Sequence, residues 1–263
     1  MITQERNESV ARSIMRPVEI SAEDARAYED NPRWESYPKL NGVFARWDPS
    51  RQKFFSKRGI AFKEHLIPEL YRKYSIFNTT FDGEIWSPNL TLQQICGALS
   101  HERDEPAPYH AQLMYVPFDV PYGFGAWRRR RGLLFDHPEP TIISVTRGSN
   151  IISELNCDGK VFRYLDGIYQ SGQSGNVLKY KFWQDCEVDV LRAEPGTPTS
   201  QYHDVLGNLV CKFRDTTVSV GSGFSHEERA EFIHNPPTRI KIKYLSLSQD
   251  GIPLNPSYTG LDL

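Results

Sequence analysis

Apolar and polar positions alternate along PKLNGVFARWD, with Val43, Ala45 and Trp47 on one side of the repeat, and RQKFFSKRG repeats the pattern after Asp48-Pro49-Ser50. A period of two on both sides of a turn sequence predicts a β-hairpin. Upstream, SAEDARAYEDN (residues 21–31) predicts a short helix. Ser21 can cap it, with Glu23 and Asp24 in the first turn, where the helix dipole favours anions. AFKEHLIPELYRK (61–73) reads as helical or irregular, with Pro68 breaking the pattern. FDGEIW is a short strand, LTLQQICGAL (90–99) an amphipathic helix, and AQLMYVPFDV a strand.

From Trp183 the texture changes to short alternating strands: CEVDVLRAE, NLVCKFR, TTVSV and RIKIKYLSLS. Leu209, Cys211 and Phe213 share one face of the second, and Ile240, Ile242 and Tyr244 one face of the last. GSGFSHEERAEFIHN between them holds a capping box of Ser225 and Glu228. Roughly five strands and one helix in so short a stretch suit a small barrel of the OB type. The boundary is expected near Asp185. AEPGTPTSQYHD between the first two of these strands reads as a loop.

Composition changes this picture little. Of 263 residues, 39% are hydrophobic and 24% charged, as in an ordinary globular protein, and 18 Gly with 18 Pro favour turns and strands over a helical bundle. Lys+Arg (31) nearly balance Asp+Glu (33), so a polyanionic partner would need positive charge gathered on one face. Cys96, Cys157, Cys186 and Cys211 are scattered, with no CxxC and no histidine at metal spacing, which argues against a zinc site or a disulfide framework. The N-terminus lacks the apolar stretch of a signal peptide, and no run of about 18 apolar residues could span a bilayer. A cytoplasmic, monomeric protein with no membrane partner is expected.

Four clusters follow one another: Lys39-Leu-Asn-Gly42, Asp82-Gly-Glu84, Asp158-Gly-Lys-Val-Phe-Arg163 and Leu178-Lys-Tyr-Lys181. Each alone is a common turn or edge strand. In this order and at these separations they resemble the covalent nucleotidyltransferases, and GNLVCKF with VGSGFSHEERAEF narrows the resemblance to ATP-dependent DNA ligases. It covers almost the whole chain. The fold it implies is α+β: a nucleotidyltransferase (adenylation) domain of antiparallel sheets flanked by helices over 1–185, then a C-terminal OB-fold β-barrel over 186–263.

The resemblance implies roles. Lys39 would be the nucleophile that takes AMP from ATP. Glu84 would bind ribose and join Asp158 in holding Mg²⁺ (or Mn²⁺), hard cations that prefer oxygen. Phe118 would stack on adenine, and Lys179 and Lys181, two apart on one strand face, would flank the phosphates. A lysine amine attacks only when unprotonated, and its ordinary pKa is about 10.4, so nearby cations are part of the expected chemistry. AMP would then pass to the 5′-phosphate of nicked duplex DNA, the expected partner. An RNA ligase or capping-type enzyme on the same scaffold, or a non-catalytic nick-binding relative, are the alternatives.

Several positions depart from the family pattern. Asn41 replaces the usual Asp, Asp158 the usual Glu, and Gln173 a common basic residue. Phe44 replaces an arginine, and Arg46, on the same strand face, is expected to take over its phosphate contact. The hairpin cation is Lys57 by strict register or Arg58 with a one-residue shift; Arg58 is preferred. Asp262 stands where the family's last motif has an arginine. Arg128, Arg129, Arg130 and Arg131 form either a solvated helix start or a phosphate track beside the nick.

Overall fold

The two largest hydrophobic clusters of the described residues organise the fold: one is rich in aromatic rings around Trp47, Phe54, Tyr74 and Tyr115, the other is built on Leu209, Cys211, Ile240 and Ile242. The computed structural model describes residues 8–123, 125–135, 156–248 and 250–261. Its two units are Met1–Lys181 and Phe182–Leu263. Among the described residues, no helix is long and apolar enough to cross a membrane.

The first unit opens with α1 (Glu8–Ser13), β1 (Met15–Glu19) and α2 (Ala22–Glu29), the last capped by Ser21, whose side chain accepts from the Asp24 amide. Then come β2 (Trp34–Leu40), β3 (Val43–Asp48) and β4 (Lys53–Ser56). The β3–β4 turn is held by Asp48, whose carboxylate accepts from the Ser50 amide at 3.0 Å and hydroxyl at 2.6 Å. Pro68 does not break a helix: it occupies the first turn of α3 (Pro68–Tyr74), where a missing N–H costs nothing. After β5 (Phe81–Trp86), α4 (Leu92–Ala98) starts from a Thr91–Gln94 capping box, followed by β6 (Met114–Asp119), α5 (Trp127–Arg130) and α6 (Gly132–Phe135). The unit closes with β7 (Cys157–Tyr164) and β8 (Gly172–Lys181).

These strands form two four-stranded sheets, ordered β1-β8-β7-β2 and β4-β3-β5-β6. The expected antiparallel arrangement has one exception, because β1 runs parallel to β8. A pair so distant in sequence needs no hairpin, so nothing forces it to be antiparallel. Alternation in β7 and β8 sends Phe162 and Leu178 to the α2 side, where they pack on Ala25. In β3 it sends Ala45 and Trp47 into the aromatic core, against Phe54, Tyr71 and Tyr74.

In the second unit, β9 (Gln184–Pro195), β10 (Leu206–Phe213), β11 (Thr216–Val220), β12 (Arg239–Tyr244) and β15 (Ser257–Leu261) make an antiparallel sheet ordered β11-β10-β9-β12-β15. A short pair, β13 (Ser246–Leu247) with β14 (Pro253–Leu254), lies between the last two in sequence. Helix α7 (His226–Phe232) carries the complete Ser225–Glu228 capping box, with bonds of 2.7 and 3.1 Å. Its Arg229 is buried and donates to the carbonyls of Leu206 and Gly221 at 2.7 Å each, tying the helix to the sheet. Residues 193–195, expected in a loop, extend β9.

Candidate active site

Two strand irregularities aim the side chains that matter. Along β2 and β7, Lys39 lies opposite Gly159 and Leu40 opposite Cys157, which leaves Asp158 as an extra residue. Strict alternation would turn Asp158 away from the face that carries Lys39; a bulge re-aims it. Both Asp158 oxygens accept from Lys39 Nζ, at 2.6 and 2.9 Å. Gly159 permits the close approach behind this pair, since a Cβ there would stand 2.0 Å from the Tyr180 carbonyl oxygen. Along β5 and β6 the same device recurs. Asp82 pairs with Asp119 and Gly83 with Pro117, so Phe118 is the extra residue. Its ring remains partly exposed, 6.1 Å from that of Phe44.

Across β7, Gly159 is paired with Lys181 and Val161 with Lys179, which puts both lysines on the Lys39 face. Glu19 at the end of β1 reaches both, its Oε2 3.3 Å from each Nζ. Burial alone would raise the Glu19 carboxyl, but Lys179 and Lys181 outweigh it and hold it below the usual range.

The other sheet contributes Glu84, opposite Phe44. Gly42 passes so close that a Cβ on it would lie 2.7 Å from Glu84 Cγ and 2.5 Å from the Ile85 carbonyl oxygen. Burial pushes the Glu84 carboxyl up to about 8; Asp158 reinforces the shift, while Lys39, Lys57 and the Gly42 amide oppose it. Lys57 is held below the ordinary lysine value, first by partial burial and then by Arg16, Lys179 and Lys39. Lys39, Glu84, Asp158, Lys179 and Lys57 are therefore one electrostatic cluster, and Lys181 joins it through Glu19.

Three expectations need correction. Lys57 and Arg58 are both exposed, but Lys57 is the hairpin cation whose charge acts on Glu84 and is felt with that of Lys39. A tight turn sets this register: the Gly59 amide donates to the Ser56 carbonyl at 2.8 Å, with Gly59 at φ 73°. Arg46 shares the Phe44 face, but it is 1% exposed and its guanidinium is engaged internally. It donates to Asp82 at 2.5 and 2.9 Å, to Ser13 at 2.5 Å and to the Tyr169 hydroxyl at 2.9 Å, so it is a strut beneath the site and not a phosphate ligand. The arginine run is not a uniform track either. Arg130 is buried on Asp119, Arg131 pairs with Glu35, Arg128 pairs with Asp166, and Arg129 is exposed. Asp262, in the place of the last-motif arginine, lies outside the described residues.

Sequence reasoning missed the buried network under Phe118. Asp119 accepts from Arg130 at 2.8 Å and from Arg163 at 2.5 Å, and Arg163 lies 4.4 Å from the Trp127 ring centroid and 5.5 Å from that of Phe118. Burial alone would raise Asp119; Arg163, Arg130 and the Val120 amide hold it below the ordinary carboxylate range. A charged residue in a strand reads as solvent-facing, so the one available signal was four charges (Asp82, Asp119, Arg130, Arg163) in segments otherwise patterned for burial. Gln173 lies opposite Arg16 on β1, so a cation stands beside the position where the sequence lacks one.

Residues 199–261 match the DNA ligase OB-like domain family. A DNA ligase of Haemophilus influenzae is 26% identical over 243 residues, which make up 86% of this chain and 85% of that protein. Among solved structures, a Lig E DNA ligase superposes with a TM-score of 0.74 at 19% identity, covering 95% of this chain and 100% of the other. The ligase domain of M. tuberculosis LigD gives 0.51 at 16% identity, covering 97% and 96%. These structural likenesses establish a shared fold of a nucleotidyltransferase domain followed by an OB domain. Over most of its length the chain is thus similar to DNA ligases, and residues 199–261 carry the sequence of their OB-like domain.

Proposed function

We propose that the protein is an ATP-dependent DNA ligase that seals nicks in duplex DNA through AMP carried on Lys39. The observation that carries this reading is the Lys39–Asp158 pair, set by a bulge on a face that also presents Lys179 and Lys181. Lys39 Nζ attacks the α-phosphorus of ATP, an N–P bond forms, and pyrophosphate leaves with the electrons of the broken P–O bond. Asp158, with both oxygens on Nζ, fixes the amine for this attack and is the carboxylate best placed to receive its proton. Lys179 and Lys181 offset charge on the phosphates, and Phe118 offers its bulged ring as the stacking surface for adenine. The 5′-phosphate of the nick then takes AMP from Lys39, and the 3′-hydroxyl displaces AMP to form the phosphodiester.

A divalent cation fits this site. Among the described residues no three His, Cys, Asp or Glu side chains form a ready cage. Mg²⁺, however, is ordinarily held by one or two carboxylates, with water and substrate phosphates completing its shell. Glu84 and Asp158 supply those two, close enough for the charge of Asp158 to act on Glu84. Mg²⁺ (or Mn²⁺) held there would neutralise charge on the transferring phosphate. Arg16, Lys57 and Arg129 are exposed cations that could meet the DNA backbone.

The test is a sealing assay with a labelled 5′-phosphate at the nick. The protein is expected to join nicked DNA with ATP and a divalent metal, and to join nicked RNA poorly. Joining RNA but not DNA would move the reading to the RNA ligases, and binding without joining would reduce it to a nick-binding relative.

A further inference from the structure

We infer that Glu19 is a built-in occupant of the phosphate subsite: its carboxylate oxygen stands between Lys179 and Lys181 until a nucleotide phosphate takes its place. The inference rests on the reading of those lysines as phosphate ligands.

The geometry is specific to one atom. Glu19 Oε2 is 3.3 Å from Lys179 Nζ and 3.3 Å from Lys181 Nζ, the arrangement in which a single phosphate oxygen would bridge two ammonium groups. The fold goes out of its way to deliver it. Along β1 and β8, Pro17 pairs with Ser174, yet Val18 pairs with Leu178 and Glu19 with Lys179. Gly175, Asn176 and Val177 are passed over at that step; in unbroken register Glu19 would meet Asn176, and no carboxylate would reach the lysines. The Ile20 amide then fixes the strand end by donating to the Lys179 carbonyl at 3.0 Å.

The contact is also reversible. The Glu19 side chain is 39% exposed, against 25% and 21% for its two lysines, so it can swing into water while they stay in place. In the free protein it offsets repulsion between two ammonium groups on one strand face, which keeps them aligned for the incoming phosphate. It exacts a corresponding loss of affinity, because phosphate must displace a like charge. An ion pair this accessible changes an equilibrium by up to about fivefold.

The full-length protein and inorganic pyrophosphate provide the test, with binding followed by calorimetry at low and high salt. Glu19→Gln, which keeps the shape and removes the charge, is expected to bind pyrophosphate about fivefold tighter than wild type at low ionic strength, and the gain should fade by about 1 M salt as charges are screened. KM for ATP in the adenylation step should fall by a similar factor. In a Lys181→Met background the effect of Glu19→Gln should shrink, since one arm of the bridge is gone. Unchanged or weaker pyrophosphate binding in Glu19→Gln would overturn the inference and make Glu19 a mere brace for the lysines. Failure of the ligase reading is a distinct result: pyrophosphate bound, but no adenylate on Lys39 in either protein.

Discussion

At the scale of single residues, buried charge decides more than surface charge. Asp119 sits between Arg130 and Arg163 with almost no exposure, and removing one partner of such a set costs about 3–5 kcal/mol because the remaining charges stay buried. Asp119→Asn should therefore lower the unfolding free energy by that order, read from chemical denaturation at pH 7. The pH dependence follows from the direction of the shift. The folded-state Asp119 lies below its unfolded value of 3.8, so its stabilisation is present above that pH and is lost as pH falls through the folded value. The acid limb of the stability curve should accordingly be shallower in Asp119→Asn, and an unchanged limb would count against the paired arrangement. Lys57 and Arg58 give a second residue-scale contrast. Because Lys57 acts on Lys39, Lys179 and Glu84, Lys57→Ala should slow adenylation at least tenfold, about 1.4 kcal/mol on the barrier, while Arg58→Ala has a much smaller effect. Single-turnover rates on the two variants separate them.

At the scale of elements, period and capping chemistry predict the structure where alternation runs unbroken. The β3–β4 hairpin, α2 with its Ser21 cap, the inward faces of β10 and β12, and the Ser225 box all follow from period and capping chemistry. Alternation fails at the site. By strict period two, Asp158 faces away from Lys39 and Glu19 meets Asn176, and only bulges bring them onto the working face. Family resemblance could name Asp158, Phe118 and Lys179, because motifs carry bulges with them. No local pattern announced Glu19 or the Asp119 network. Lys57 rather than Arg58 enters the Glu84 field because a tight turn at Gly59 fixes register, and a one-residue shift exchanges the faces. The bulge itself can be tested. Gly159→Ala places a methyl group 2.0 Å from the Tyr180 carbonyl, so β7 and β8 must separate, and Lys39 loses its fixed partner. Adenylation should drop about 100-fold or more, the size of effect expected for a misplacement of about 1 Å. An active Gly159→Ala protein would show that this strand approach is not needed.

At the scale of the whole molecule, the two cores are distinct, and each unit contains a complete hydrophobic cluster of its own. Loss of the helix cap in the second unit, Ser225→Ala, should cost about 1 kcal/mol and lower the calorimetric transition of that unit while leaving the aromatic-core transition in place. A uniform shift of a single transition would instead mean that the units unfold as one. On the proposed reading, one lysine of the first unit, gripped by Asp158 and in the field of Glu84, Lys57 and Lys179, carries the nucleotide. Intact-mass spectrometry after incubation with ATP and Mg²⁺, followed by peptide mapping, examines that claim most directly. The account predicts one acid-labile adenylate per chain, on the peptide that contains Lys39, and none in Lys39→Ala. An unmodified wild-type protein, or an adenylate on any other residue, would contradict it.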